Sequence, residues 1–328
     1  MTTLSDIAKK AGCSVNLVSY VLKKTEPPTK EKHKRILQIA EELNYVPNHA
    51  ASALITGRTN NIILVSNDLH TDLYEPFFAE FLNALTEKFT AKGIGLTLYC
   101  SMQNEKNIKK VLLNSSSDGV IWYHCQIPNE VKKFIQKQGF PSINILSREE
   151  QFSYLAIDDH QSEYELIARL YDLGHRNILF CGDTGGPRYE AYCRFVQEHG
   201  LSFCRDIPRS DYDFKNRDSM QKYILEHGRD FTAIVCERDM VAVSMLYVLQ
   251  NLGIEVPGQV SVVGYDDLPM ASQCKPSLTT VHHNYLEIAH QTVQYFVSRL
   301  SGKQTEEPLQ KTYIHPIIAR ESDGPVPR

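Results

Sequence analysis

Residues 3–22 read TLSDIAKKAGCSVNLVSYVL, and the rest of the chain is best understood from them. Thr3 and Ser14 each stand just before an apolar-periodic segment, where a hydroxyl can accept a hydrogen bond from a free amide of the first helical turn. Asp6, three residues after Thr3, partly completes a capping box and suits the positive end of that helix. Gly12 falls between the two segments, where a tight turn calls for positive φ. Ile7, Ala8, Val18 and Val21 recur at spacings that let two short helices pack. The pattern is helix–turn–helix, in which the second helix turns its outward side chains to the major groove of duplex DNA.

Charge is divided in the same sense. Residues 1–60 carry nine Lys or Arg against five Asp or Glu, a balance of +4; the remainder carries 26 against 34, a balance of −8. One end attracts phosphate and the rest repels it, which a near-neutral total conceals. A solvated helix face would account for the run from Lys30 to Arg35. It accounts less well for basic residues joined to capped helices and a glycine turn.

A chain of 328 residues, 42% of them hydrophobic, is long enough for two or three domains with sizeable cores. No apolar run reaches the roughly 18–20 residues that span a bilayer. Asp6, Lys9 and Lys10 interrupt any secretory leader, so a cytoplasmic protein is expected. The eight cysteines are dispersed without a Cys-x-x-Cys pair and are read as reduced core residues.

A third helix is expected after Thr29 as its cap, with Ile36, Ile39, Ala40 and Leu43 forming a buried stripe. Pro47 ends it, and Asn48 opens a short segment, His49 to Thr56, closed by Gly57. Eight residues are too few for an isolated helix in water, so this reads as a hinge that folds only when something holds it. From Asn61 the texture becomes alternating strands and helices. Strands are expected at 62–66, 96–99, 120–122, 143–146, 178–181, 233–236 and 260–263, with helices such as 77–91, 161–173, 239–252 and 285–300 between them. Short apolar strands separated by helices imply parallel sheets covered on both faces. So many would overfill one sheet, so two α/β lobes around a cleft are expected. Ligands in such sheets bind beyond the carboxyl ends of the strands. Polar clusters fall there: Asn67-Asp68, Ser147-Arg148, Asp158-Asp159, Gly182-Asp183, Glu237-Arg238-Asp239 and Tyr265-Asp266-Asp267.

Taken together, these marks resemble the LacI/GalR family of transcription regulators over the whole chain. The headpiece marks are Ser5-Asp-Ile-Ala8, Ala11-Gly-Cys-Ser14, Val18-Ser19, Leu43-Asn-Tyr-Val-Pro-Asn48 and Leu54-Ile-Thr-Gly-Arg-Thr59. The core marks are Glu75-Pro-Phe-Phe-Ala-Glu80, Asp118-Gly-Val-Ile121, Leu173-Gly-His-Arg-Asn-Ile178, Val256 through Asp267, Pro276-Ser-Leu-Thr-Thr-Val281 and Ala319-Arg-Glu-Ser322. The resemblance implies a helix-turn-helix headpiece (1–46), a hinge (47–59) and a two-lobed periplasmic-binding-protein-like α/β core (60–328) of doubly wound parallel sheets. The lobes are expected at 60–157 with 285–310, and at 158–284 with 311–328. It further implies a homodimeric repressor, not an enzyme and without cofactor, that binds a near-palindromic DNA operator. A small effector in the cleft, a sugar or sugar derivative, sets its operator affinity. The lack of a Leu-heptad tail after Arg320 argues for a dimer over a tetramer. An alternative is a regulator that answers to a protein co-regulator and needs no small ligand.

By the same resemblance, DNA contacts fall on Thr3, Ser14, Val15, Asn16, Leu17, Ser19, Tyr20, Thr29, His33, Asn48, His49, Ala51 and Leu54. Leu54 is the apolar wedge that opens a base step in the minor groove. The family's usual Thr-Val-Ser-Arg is replaced by Leu17-Val-Ser-Tyr20, so the operator should differ from the commonest sites. Asn16 is suited to adenine, whereas Leu17 is open to a packing role instead. Effector contacts are expected from Asn67, Phe77, Phe78, Arg148, Arg188, Arg238, Asp266 and Tyr285, with one of the two phenylalanines being structural. Asp266 suits a diol, whose paired donors a carboxylate accepts. Arg238-Asp239 and Ser147-Arg148 stand where the family often has Asn-Asp and Asp-Arg. That exchange removes an acid and adds a base, which raises the expectation of a phosphate- or carboxylate-bearing effector. The other reading of Arg238 is an ion pair with a neighbouring acid. Enzyme readings fare worse: Gly182-Asp-Thr-Gly-Gly186 has Thr184 where a protease loop needs serine, and no phosphate-binding glycine motif occurs. His282, His283 and His175 lack metal-ligand spacing and are expected in exposed loops or caps.

Overall fold

Thr3 and Asp6 close the start of the first helix reciprocally. The Thr3 Oγ1 accepts from the Asp6 amide at 3.3 Å, and the Asp6 carboxylate accepts from the Thr3 amide at 2.8 Å. The Thr3 hydroxyl also donates to that carboxylate at 2.7 Å, and with the amide bond it holds the Asp6 carboxyl below the usual range. Helix α1 (Leu4–Ala11) then ends at Gly12, whose φ of 62° and ψ of 43° lie in the left-handed region. Helix α2 (Val15–Lys23) follows Ser14, whose hydroxyl accepts from the Leu17 amide at 3.3 Å. Helix α3 spans Glu31–Glu42, and its cap position falls on Lys30, which makes no side-chain cap bond. The expected cap, Thr29, stands one residue too early and lies outside the described residues. Ile7, Val18 and Ile36 are fully buried together, with Val21 and Ile39 around them. Two contacts tie the first helix region to the end of α3: Thr2 Oγ1 donates to the Leu43 carbonyl at 2.9 Å, and Lys10 meets Glu42 at 2.8 Å.

The computed structural model describes residues 2–23, 30–45, 58–73, 76–100, 105–113, 117–202, 205–208, 217–227, 230–302 and 307–326. The chain divides into two units, Met1–Thr59 and Asn60–Arg328. In the second unit the first lobe runs β1 (Asn61–Ser66), α4 (Leu69–Asp72), α5 (Pro76–Thr90), β2 (Gly95–Cys100), α6 (Glu105–Leu113), β3 (Gly119–Tyr123), α7 (Asn129–Gln138), β4 (Ser142–Ile145) and β5 (Ser153–Ile157). The chain then crosses into α8 (Asp159–Asp172), β6 (Ile178–Gly182), α9 (Pro187–Glu198), β7 (Arg205–Pro208), α10 (Arg217–His227), β8 (Ala233–Cys236), α11 (Asp239–Asn251), β9 (Ser261–Asp266), α12 (Pro269–Gln273) and β10 (Thr279–His282). It returns through α13 (Tyr285–Leu300) and β11 (Gln310–Tyr313), and crosses once more to β12 (Ile317–Ile318).

The strand orders are β11-β5-β4-β3-β1-β2 and β12-β10-β9-β8-β6-β7. Every described pairing is parallel except β10 with β12. The two orders repeat one doubly wound scheme, which places a crevice beyond the carboxyl end of the strand where the order reverses. Alternate residues explain the continuous apolar runs. Ile62, Leu64, Ile121 and Ile143 pack against Phe81 and Phe89 of α5 and Phe296 of α13, while Ile63, Val65, Val120 and Trp122 face Ile108, Leu112 and Val131.

Three expectations are corrected. Lys311 and Thr312 pair with Leu155 and Ala156, so 311–313 belong to the first lobe and the last crossing follows Tyr313. Strands β5, β7, β10, β11 and β12 were not anticipated. Cys125, Cys181 and Cys236 are buried thiols, but Cys13, Cys193 and Cys274 are half-buried and Cys100 is exposed. Among the described residues no helix is long and apolar enough to cross a membrane.

Candidate functional site

On α2 the buried Val18 and Val21 face inward, which turns Val15, Asn16, Ser19 and Tyr20 to the other side. Val15 is 42% and Tyr20 52% exposed. The Tyr20 ring meets half-buried His33 of α3 edge-on, with centroids 6.2 Å apart. Leu17 is half-buried and packs against the headpiece core. The hydroxyls of Thr3 and Ser14 are engaged in capping. Asn48, His49, Ala51 and Leu54 lie outside the described residues.

A second cluster gathers at the carboxyl ends of the strands of the second lobe. Arg188, in the first turn of α9, donates through Nε and Nη2 to one oxygen of Asp159, both at 3.3 Å. Its Nη1 donates to the Glu237 carbonyl just beyond β8, and its Nη2 lies 3.8 Å from Asp266 at the end of β9. Its guanidinium carbon stands 3.6 Å above the centre of the Tyr265 ring, whose hydroxyl donates to the same Asp159 oxygen at 3.0 Å. Burial opposes the charge on Arg188, but Asp159, Tyr265 and Asp266 outweigh it and raise its pKa. Burial likewise works against the Asp159 anion, yet Arg188 and His283 hold that carboxyl below its ordinary value.

Asp266 and Asp267 have φ of 117° and 54°, a conformation unfavourable to side-chain-bearing residues. His283 Nε2 lies 3.2 Å from Asp266, and His282 and Arg320 both bond Asp267. From the first lobe, Phe77 lies 4.9 Å from the His283 ring and 6.5 Å from Tyr285. Beneath the cluster, Glu163 is fully buried with neither oxygen hydrogen-bonded, and burial pushes its carboxyl up to about 8. Asp239 is also buried, holding Thr280 Oγ1 and the Leu268 amide, and burial raises it to about 7.

The headpiece and part of the core match known protein families. A family of bacterial regulatory proteins, the lacI family, matches residues 3–48, and the periplasmic binding protein-like domain matches residues 167–322. The headpiece is therefore of the LacI family. The HTH-type transcriptional repressor PurR of Pasteurella multocida (strain Pm70) is 28% identical, with 98% of each chain covered. The fold is shared with the Lac repressor dimer bound to operator and the anti-inducer ONPF, at 19% identity and a TM-score of 0.76, over 98% of each chain. It is also shared with the complex of the transcriptional regulator CelR with cellobiose, at 23% identity and a TM-score of 0.66, over 98% of this chain and all of that one. The chain thus joins a LacI-family DNA-binding headpiece to a periplasmic binding protein-like core, the make-up of a transcriptional regulator and not of an enzyme.

Of the effector residues expected from its sequence, Arg188 and Asp266 meet directly, Phe77 reaches them through His283, and Tyr285 meets Phe77. Phe78 is a correction: it is wholly buried against Tyr123, with rings 4.5 Å apart. Neighbouring helical residues point about 100° apart, and Phe77 is the half-buried one of the two. Arg148 is exposed and pairs with Asp158 at 3.2 Å, while Arg238 comes to 4.0 Å from Glu237. Asn67 is exposed just past β1. Asp159, Tyr265, His283 and Glu163 were missed. For the first two the signal was available, since both belong to the polar clusters at strand ends. The histidines need correcting too. His283 and His175 are buried, and His175 joins Thr232 Oγ1 at 2.8 Å to the Gly324 carbonyl at 3.0 Å.

Proposed function

We propose that this LacI-family regulator is a homodimeric, cytoplasmic repressor of transcription. It grips a near-palindromic operator through Val15, Asn16, Ser19 and Tyr20, and a neutral, hydroxyl-rich small molecule sets that grip. The observation that carries the effector class is the state of the three arginines. Arg148, Arg188 and Arg238 each already face a carboxylate. Around Arg188 alone stand Asp159 and Asp266, two carboxylates to one guanidinium, so acceptors are in surplus there. A phosphate or carboxylate ligand would meet that surplus, whereas the hydroxyls of a polyol donate to it. Phe77, lying against His283, supplies the apolar face on which the C–H side of a sugar ring can rest. The anionic effector suggested by Arg238 and Arg148 is therefore the weaker of the two chemistries.

Calorimetric titration of the intact protein with D-ribose, cellobiose and a sugar phosphate tests this reading. Binding of a neutral saccharide, abolished by Arg188→Ala and accompanied by a change in operator affinity, is expected. Binding of the sugar phosphate alone reverses the charge argument. No response to any of the three leaves control by a protein co-regulator as the better description.

A further inference from the structure

Residues 15–22, which open α2, contain no Lys, Arg or His, although nine Lys or Arg stand in residues 1–60. The first basic residue of α2 is Lys23, its last. In a helix–turn–helix module the N-terminal residues of the second helix meet the base edges. Val18 and Val21 are buried, and Leu17 and Leu22 are half-buried against the same core. That leaves Val15, Asn16, Ser19 and Tyr20, all uncharged, on the side that reads DNA. Attraction and reading are thereby divided: the basic residues lie elsewhere in the headpiece, where phosphate contacts position the module without regard to sequence.

Guanine presents two acceptors, O6 and N7, in the major groove, and the contact that selects it comes from Arg or Lys. The opening of α2 offers neither. An A·T pair offers what these side chains can use. The exposed Asn16 amide can accept from adenine N6 and donate to N7 at once, and thymine alone carries a methyl group in this groove. Val15 and Tyr20 expose apolar surface, and covering a thymine methyl with it takes both surfaces out of water. Asn16 and Tyr20 are four residues apart, so they lie side by side on one face of the helix. Tyr20 is braced from outside α2. The ring of His33, in the first turn of α3, meets it edge-on at 6.2 Å and 70°, within the range of edge-to-face pairs. His33 is half-buried, and its amide donates to the Lys30 carbonyl at 2.9 Å, so the brace stands on a fixed backbone.

We propose that α2 reads A·T base pairs, Asn16 taking an adenine edge and Val15 and Tyr20 the methyl groups of thymine, with His33 as the positioning residue that holds the Tyr20 ring. This rests on the reading of α2 as the helix that grips the operator, and it names the chemistry of the pairs beneath it. His33 acts through Tyr20: a tyrosine ring turns about its side-chain bonds, and a second ring against its edge restricts those turns, so that one face is kept for the base. Discrimination against G·C then follows from what the helix lacks. Placing guanine opposite Asn16 sets O6 where N6 donates in adenine, and cytosine opposite Val15 or Tyr20 brings no methyl group.

Duplexes selected from a random pool by the full-length protein test this, with parallel selections by Val15→Ala, Asn16→Ala and Tyr20→Ala to assign a reader to each base pair. The wild type should hold A·T wherever these variants relax the preference. Deoxyuridine is then placed for thymidine one position at a time, which removes the methyl group and leaves every hydrogen bond. Affinity should fall roughly fourfold at the thymines of Val15 and Tyr20, the worth of one buried methyl, and Tyr20→Ala should show no further loss at its own thymine. 7-Deazaadenine at the Asn16 pair should weaken the wild type and not Asn16→Ala. His33→Ala should relax the preference at the Tyr20 pair alone, and His33→Phe, which keeps a ring there, should restore it; a preference unmoved by His33→Ala overturns the bracing. Full affinity of the wild type for every uracil and deazaadenine duplex overturns the reading of A·T, whether or not any variant folds. An enriched near-palindrome with G·C at the assigned pairs removes this inference and leaves the operator reading standing; a pool without any enriched sequence removes both.

Discussion

Arg188 lies over the ring of Tyr265, its guanidinium carbon 3.6 Å from the ring centre, and both side chains donate to the same oxygen of Asp159. The aromatic face and the carboxylate together fix a planar fork that a lysine cannot reproduce. Arg188→Ala leaves Asp159 and Asp266 without their main counter-charge in a partly closed site. A loss of about 3 kcal/mol in folding stability is expected, as for breaking other buried pairs. Urea denaturation measures it. Arg188→Lys should recover part of the stability and none of the saccharide binding, and a fully active Lys variant would show that the fork is unimportant.

Glu163 makes stability depend on pH in a defined window. Its folded value of about 8, against 4.5 for a free glutamate, comes chiefly from burial, with Asp159 and Glu237 adding to it and Arg188 opposing. Below pH 4.5 both folded and unfolded chains hold the proton, and the favourable contribution is complete. Between pH 4.5 and 8 only the unfolded chain releases it, so stability falls as pH rises and levels off once the folded chain releases it too. Glu163→Gln keeps the shape and cannot ionise. Its advantage over wild type should widen from pH 5 to pH 8 in parallel melts, by an amount on the order of 5 °C. Parallel curves for the two proteins would show that Glu163 is ionised in the fold.

Close approach in the second sheet is tested at Gly264 of β9. A Cβ there would strike Asp239 Oδ1 and lie 2.8 Å from Leu278 Cδ2 and 3.2 Å from Ala242 Cβ. Gly264→Ala should cost roughly 1–3 kcal/mol through overpacking, read from the urea midpoint. It should also disturb the bond from Thr280 to Asp239. An unchanged midpoint would mean that α11 shifts away without cost.

The sequence made much of this molecule legible because burial leaves a periodic trace. Ile62 to Val65 and Ala233 to Cys236 are covered on both faces, so they read as unbroken apolar runs. Gln310 to Tyr313 is a largely exposed edge and carries no such trace, and two residues of β12 carry almost none. Arg188 and Asp266 were found through the family's motifs. His283 and Glu163 were not, because their roles arise from partners far along the chain. Arg188 and Asp159 are likewise 29 residues apart, and Tyr265 and Asp159 are 106 apart. Spacing within a motif cannot report such pairings. The hinge around Leu54 stays a sequence expectation.

Tyr20 separates base reading from phosphate attraction. It is exposed on α2 and stands where the resemblance implies an arginine. Tyr20→Ala should weaken binding to the preferred duplex by about 1–3 kcal/mol while leaving the slope of log affinity against log salt unchanged. A flatter salt slope in the variant would instead tie Tyr20 to the phosphate backbone.

The most direct test selects duplexes from a random pool with the full-length protein. It then titrates the winner against random competitor by fluorescence anisotropy over a range of salt, with and without the saccharide that binds. A salt-sensitive preference for a near-palindromic sequence, shifted by the saccharide, is the expected result. Equal affinity for selected and random duplexes at every salt concentration would contradict it.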